Sequence, residues 1–238
     1  MIGDALALAR KDLRIELRQR EMVLGMAQFA ATTLVIAYFL TSAVGSIGHS
    51  AVDPGVQRAL DQAELRAAGG AGWIVGVFTA VLGLTRSCAS DTEEGAFDVL
   101  ALAPIDRTAI WLGKVISQLV FLLLVEAVLI PLAWLFFLGA ASPGAVGTIA
   151  LAVGIADLGL VAVGVLTAAL TLGARAGDVL LPVLFLPLAL PLVAVGVAVS
   201  FGALSDSGRV LQGLGFLALY DAVFALLAWG TYEHVIGD

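Results

Sequence analysis

The sequence predicts an all-α, polytopic membrane protein, and three observations carry that reading. Apolar residues make up 61% of the chain, only 13% of residues are charged, and six apolar runs are each long enough to cross a bilayer. A soluble domain carries about 25% charged residues. With a mean hydropathy of +1.04, this chain lacks the polar residues to build a water-facing surface. A membrane supplies the missing apolar solvent.

Composition also excludes several functions. The net charge of −7 gives no support to nucleic-acid binding. Cys88 is the single cysteine, so an intrachain disulfide, a CxxC redox pair and a Cys-based zinc site are all ruled out. His49 and His234 are far apart in sequence, and neither has metal-ligand spacing around it. No cleavable signal is expected: Arg10, Lys11, Arg14, Arg18 and Arg20 precede a long apolar run, and no Ala-x-Ala site follows a short one.

The first element is a helix within residues 1–21. Ile2, Leu6, Ala9, Leu13 and Leu17 form one stripe at helical spacing, and Arg10, Arg14 and Arg18 form the adjoining one, with Lys11 beside it. That pattern predicts a helix lying in the membrane interface, apolar side in the acyl chains and cations among anionic headgroups. The plainer alternative is a topogenic cluster of charge.

Six spans follow at residues 22–44, 67–88, 108–138, 146–172, 179–204 and 210–232, within one transmembrane unit covering 1–238. Each has the roughly 20 residues that a helix needs to cross the hydrocarbon core. Hydrophilic joints fall at 45–66, 89–107, 139–145, 173–178 and 205–209, marked by turn sequences such as Asp53-Pro54-Gly55 and Ser142-Pro143-Gly144. Pro131, Pro182, Pro187 and Pro191 lie inside apolar runs, where neighbouring groups can satisfy the carbonyls they free. Gly72-x-x-x-Gly76 and the glycines at 154, 159 and 164 predict close helix packing. With the N-terminus inside, the cytoplasmic joints hold Arg10, Lys11, Arg14, Arg18, Arg20, Arg86, Arg107, Lys114 and Arg175, against Arg58, Arg66 and Arg209 outside. This asymmetry predicts that both termini are cytoplasmic.

The joint between spans two and three has its own pattern. Ser90 and Glu93 have capping-box spacing, Phe97, Leu100 and Ala101 share one helical face, and Pro104 stops the helix. A short cytoplasmic helix with an apolar ridge and surplus carboxylates must bury that ridge. A groove on a partner and the protein's own spans are equal possibilities on the pattern alone.

Glu126, Asp157 and Asp221 sit in the middle of apolar runs, where an ionised group is costly and turns to the bundle interior or to a partner. Structural polar contact is the preferred reading, and a proton relay the sharper one. The chain has no G-x-x-x-x-G-K-[ST], G-x-S-x-G or HExxH sequence, so it is not expected to be an enzyme or to bind ATP through a P-loop of its own.

An interfacial N-terminal helix, six spans and the acidic Glu93-Glu94-Gly95-x-Phe97-x-x-Leu100-x-x-x-Pro104 segment resemble ABC-2 type permeases. Within them the chain is most similar to the CcmB family, the heme exporter B proteins of system I cytochrome c maturation. Lys11-Asp-Leu-Arg-Ile-Glu-Leu-Arg18, Asp91-x-x-x-Gly95 running to Leu100 and Pro104, Gly113-Lys114, and Gly173-Ala-Arg-Ala-Gly177 leading into Leu186-Pro-Leu-Ala-Leu-Pro-Leu192 carry this resemblance. The joint 45–66, with Asp53, Arg58, Asp61, Glu64 and Arg66, is longer than the pattern leads one to expect.

The resemblance implies that Glu93, Glu94, Gly95, Phe97, Leu100 and Pro104 dock on an ATPase and that the chain lies in a bacterial inner membrane. It implies a CcmA-like ATPase, CcmC-like and CcmD-like membrane proteins and a CcmE-like periplasmic heme chaperone as partners. ATP would be bound in the ATPase, and heme would be handled by the complex. No cofactor is expected in this chain, since His49 and His234 fall on opposite sides of the membrane. A permease for a lipid, glycan or drug is the alternative within ABC-2 proteins. An ion-coupled secondary transporter using Glu126, Asp157 and Asp221 is the alternative from another class.

Overall fold

The structure, a computed structural model, describes residues 2–48, 53–93, 106–137, 141–171, 177–205 and 209–235. These residues form seven helices and no strand: α1 (Ile2–Gln19), α2 (Glu21–Gly48), α3 (Pro54–Glu93), α4 (Arg107–Phe137), α5 (Pro143–Thr171), α6 (Gly177–Leu204) and α7 (Val210–Val235). Six stretches within α2–α7 are long and apolar enough to cross a membrane: Glu21–Ala43, Gly69–Ser87, Arg107–Phe137, Pro143–Thr171, Val179–Leu204 and Val210–Thr231.

Local chemistry sets the helix starts. At Asp53-Pro54-Gly55 the Asp53 carboxylate accepts a hydrogen bond from the Gly55 N–H (2.7 Å), and at Ser142-Pro143-Gly144 the Ser142 hydroxyl accepts from the Ala145 N–H (3.2 Å). In both, proline takes the first helical position, where its missing N–H costs nothing. Asp106 caps α4 by accepting from the Thr108 N–H at 3.0 Å. Between α1 and α2 the helix breaks at Arg20, whose φ of 60° is a conformation rare for a side chain of this size. The Glu16 carboxylate reaches across this break and accepts from the Met22 (2.6 Å) and Val23 (3.3 Å) N–H groups, capping α2 from the preceding helix.

Two joints differ from the sequence reading. Residues 54–66 are helical and extend α3 beyond the apolar stretch that begins at Gly69. With 40 residues, α3 is about 60 Å long at 1.5 Å per residue, twice the hydrocarbon thickness. At its other end α3 continues through Ser90 to Glu93, so Ser90 is not the N-cap of a separate helix. No glycine or proline interrupts the chain between Arg86 and Glu93, and the ladder of the second span runs on.

The core is organised around α5. It packs against α3, α4, α6 and α7 and is buried around most of its circumference from Ala156 to Thr171. A helix apolar on every side is the one that can take this central place. α2 and α7 lie at the periphery and leave large apolar side chains such as Ile36, Phe39, Leu211 and Leu219 exposed, as a lipid-facing surface requires.

Candidate functional site

α1 lies along the first turns of α4. Gly113 makes the approach possible: a Cβ there would sit 2.9 Å from the Leu8 Cβ and 3.1 Å from the Ala5 carbonyl oxygen. At the next residue, Lys114 Nζ meets the carboxylate of Asp12, one turn beyond Leu8 on α1, at 3.0 Å, both side chains largely buried. Lys11 approaches the other Asp12 oxygen at 3.4 Å, and the Ser117 hydroxyl is 3.5 Å from Asp12. α1 is thus tied to α4 through Asp12 and to α2 through Glu16.

The apolar stripe of α1 divides in the structure. Ala5 and Ala9 are buried against α4, whereas Ile2, Leu6 and Leu17 remain exposed, beside exposed Arg10, Lys11, Arg14 and Arg18. The helix therefore has a protein-facing side, a bare apolar strip and a basic strip.

Of the segment between spans two and three, Glu93 closes α3, and Glu94, Gly95, Phe97, Leu100 and Pro104 lie outside the described residues. α4, the helix that α1 clasps, starts directly after that segment, at Arg107.

The carboxylates of the spans come together. Glu126 on α4 and Asp157 on α5 are both buried and line the same cavity, and Asp221 on α7, also buried, lies against α5 at Gly159. The Asp221 carboxylate lies directly on the backbone of Gly159, two residues after Asp157, in space that any side chain at 159 would occupy. Asp157 is only 2% exposed, and its Oδ2 has no hydrogen-bond partner. No lysine or arginine among the described residues forms an ion pair with the three.

Glu126 and Asp157 line the inner end of a cavity of about 120 Å³ enclosed by α2, α3, α4, α5 and α6. It reaches Phe137, Val146 and Leu204, at the ends of α4, α5 and α6 remote from α1, and Gly69 within α3. Trp73 and Ser200 brace one wall, the indole N–H donating to the hydroxyl at 2.9 Å. Gly72 and Gly76 also line the cavity, with nothing within 4 Å of where a Cβ would stand. The Gly-x-x-x-Gly spacing therefore opens a space here and does not draw two helices together. Gly164 does serve packing, since the Leu84 side chain fills the place of its missing Cβ.

Comparison with known proteins decides the family. The family model described as CcmB protein matches residues 4–230, nearly the whole chain. The chain belongs to the CcmB family. Among its relatives, the heme exporter protein B of Rhodobacter capsulatus is 31% identical over 198 residues, which cover 80% of this chain and 79% of that protein. The heme exporter protein B of Pseudomonas aeruginosa is 31% identical over 161 residues, covering 66% and 71% respectively.

Two stretches that carried the resemblance to the CcmB family have structural work in this chain. Asp12 and Gly113-Lys114, far apart in sequence, form the α1–α4 clasp. In the Leu186–Leu192 block, the Tyr220 hydroxyl donates to the Leu188 carbonyl, between Pro187 and Pro191. That bond ties α6 to α7 one residue before Asp221. Neither contact was legible as a pair, because a single sequence gives no sign of which distant polar residues meet.

Proposed function

We propose that the chain is the membrane subunit of an ABC-type system for cytochrome c maturation in a bacterial inner membrane. It couples ATP hydrolysis by a separate, CcmA-like ATPase to heme delivery or to release of a heme-loaded, CcmE-like periplasmic chaperone. CcmC-like and CcmD-like membrane proteins complete the assembly. The observation that carries the reading is the family match over residues 4–230, with relatives named heme exporter protein B. The chain is a transport subunit and not itself the catalyst. ATP is bound by its partner, and heme is the cargo of the complex with no resident cofactor assigned to this chain.

In this reading both termini are cytoplasmic. Residues 91–103, with Glu93, Glu94, Gly95, Phe97 and Leu100 and ended by Pro104, dock on the ATPase in the helix-in-groove manner. α1 lies in the cytoplasmic interface, Ile2, Leu6 and Leu17 in the acyl chains and Arg10, Lys11, Arg14 and Arg18 among the headgroups. Its clasp on α4 supports this arrangement, because a push on the docking segment reaches Lys114 within the first turns of α4 and passes through Asp12 and Glu16 to α2.

Affinity purification from native membranes tests the reading. An ATPase chain and a heme-handling membrane protein should co-purify, and ATP hydrolysis should depend on this subunit. Purification with an ATPase but with glycan or lipid enzymes in place of heme proteins would favour another ABC-2 export function. A second reading, ion-coupled transport, draws on the convergence of Glu126, Asp157 and Asp221. It requires transport with no ATPase present, and gives residues 91–103 no task.

A further inference from the structure

On the side of α1 turned away from α4 the sequence places small and cationic residues together. Gly3, Ala7, Arg10 and Arg14 follow one another at i, i+4, i+7 and i+11, with Lys11 one turn beyond Ala7. A groove of about 580 Å³ runs along this side, lined by these five residues and by Leu6 and Ile15. Gly3 and Ala7 form a shallow floor, and nothing stands within 4 Å of where a Cβ on Gly3 would sit.

The cations of the groove are exposed and have bonding capacity to spare. Of the carboxylates on α1, Asp12 turns inward to Lys114, Glu16 caps α2, and Asp4 lies in the first turn. Among the described residues no carboxylate forms an ion pair with Arg10 or Arg14, and Lys11 shares Asp12 with Lys114. Two guanidiniums one turn apart suit a phosphodiester, whose two free oxygens accept from their forks, and Lys11 adds a point charge.

What adjoins the groove fixes the source of the phosphate. Ile2, Leu6 and Leu17 form a bare apolar strip beside the cations, and the first membrane stretch begins at Glu21, directly after the helix. A soluble phosphate would leave that strip in water. A phospholipid covers it with acyl chains.

We propose that this groove seats the headgroup of one anionic phospholipid, with Arg10, Lys11 and Arg14 holding the phosphate over Gly3 and Ala7 and Leu6 meeting the chains. The proposal rests on α1 lying in the cytoplasmic interface, and adds to that reading a discrete lipid site.

The test titrates the full chain in dodecylmaltoside micelles with dioctanoyl-phosphatidylglycerol, dioctanoyl-phosphatidylcholine and inorganic phosphate, reading binding by thermophoresis. Saturable phosphatidylglycerol binding is expected, with phosphatidylcholine much weaker and excess phosphate unable to displace the lipid. A cation beside anionic lipid strengthens binding about fivefold, so Arg10→Gln and Arg14→Gln should each weaken it by that factor. Ala7→Glu keeps all three cations, sets a carboxylate on the floor and should abolish binding. Arg20→Gln removes the same charge outside the groove and should leave binding unchanged. Equal losses in Arg20→Gln and Arg14→Gln would mean diffuse attraction and overturn the site, as would binding that survives Ala7→Glu. Displacement by inorganic phosphate would make the groove a soluble-anion site and overturn the lipid assignment. A nitroxide on Leu17→Cys, in a Cys88→Ser chain in nanodiscs, separates the two ways of failing. An oxygen-accessible label without any phosphatidylglycerol preference sinks the lipid site alone, whereas a water-exposed label sinks the interfacial reading and the site with it.

Discussion

Asp12 on α1 and Lys114 on α4 form an ion pair at 3.0 Å, largely shielded from solvent, beside a glycine that lets the two helices touch. A pair so placed is stronger than an exposed one and less costly to break than one in a sealed core. Asp12→Asn and Lys114→Gln should each loosen α1 by roughly 1–2 kcal/mol. Faster amide hydrogen exchange across Ile2–Gln19, with the spans unchanged, is the expected signature. Reversing the pair (Asp12→Lys with Lys114→Asp) should recover part of the loss.

Gly113 sets the distance between these helices. Gly113→Leu puts a branched side chain where Leu8 and the Ala5 carbonyl already stand, and α1 must move away. Displacement of α1 should show as loss of a disulfide introduced between α1 and α4, with membrane insertion intact. Gly113→Ala, with a Cβ 2.9 Å from that of Leu8, should have the same effect in a milder form.

Gly159 and Asp221 make a compensating pair. Gly159→Ala drives a methyl group into the Asp221 carboxylate and should destabilise the α5–α7 contact by about 1–3 kcal/mol, as overpacking does. Asp221→Ala in the same chain clears the space. Unfolding in mixed micelles should then find the double variant more stable than the sum of the two single changes allows, and a strictly additive result would contradict the pairing.

Tyr220→Phe removes the hydroxyl that holds the Leu188 carbonyl and keeps the ring, which stacks on Phe224. Hydrogen bonds between helices in membranes contribute about 0.6 kcal/mol on average. The same unfolding measurement should show a loss of that order.

The sequence makes the spans legible because crossing a bilayer demands length and apolarity, both written in one dimension. The six apolar stretches agree with the expected ones to within a few residues. The inward faces are a different matter. In a soluble helix the buried side is the apolar one, but lipid is as apolar as a helix interface, so hydrophobicity does not separate them. For that reason the α1 stripe looks like a single face in the sequence, while the structure sends Ala5 and Ala9 to α4 and leaves Ile2, Leu6 and Leu17 bare. The same ambiguity hid the role of Gly72 and Gly76, whose spacing fits a close contact and a cavity wall equally well. The carboxylates Glu126, Asp157 and Asp221 stood out because charge is rare in a span, though their convergence needed three dimensions. The residues from Glu94 to Pro104, proposed to dock on the ATPase, lie outside the described residues.

That role has its own prediction. Phe97→Asp puts a charge on the ridge proposed to enter the ATPase groove, outside the bilayer. Membrane insertion and α1 docking should be normal, while ATP hydrolysis in the assembled complex should no longer respond to this subunit. Wild-type coupling in that variant would remove Phe97 from the docking surface.

The account as a whole turns on whether the chain serves cytochrome c maturation. Heme staining of membrane and periplasmic proteins, in a strain lacking this gene and in the same strain complemented, tests it most directly. The account predicts loss of covalent heme from c-type cytochromes in the deletion and its return on complementation. Normal heme-stained cytochromes in the deletion strain would contradict it.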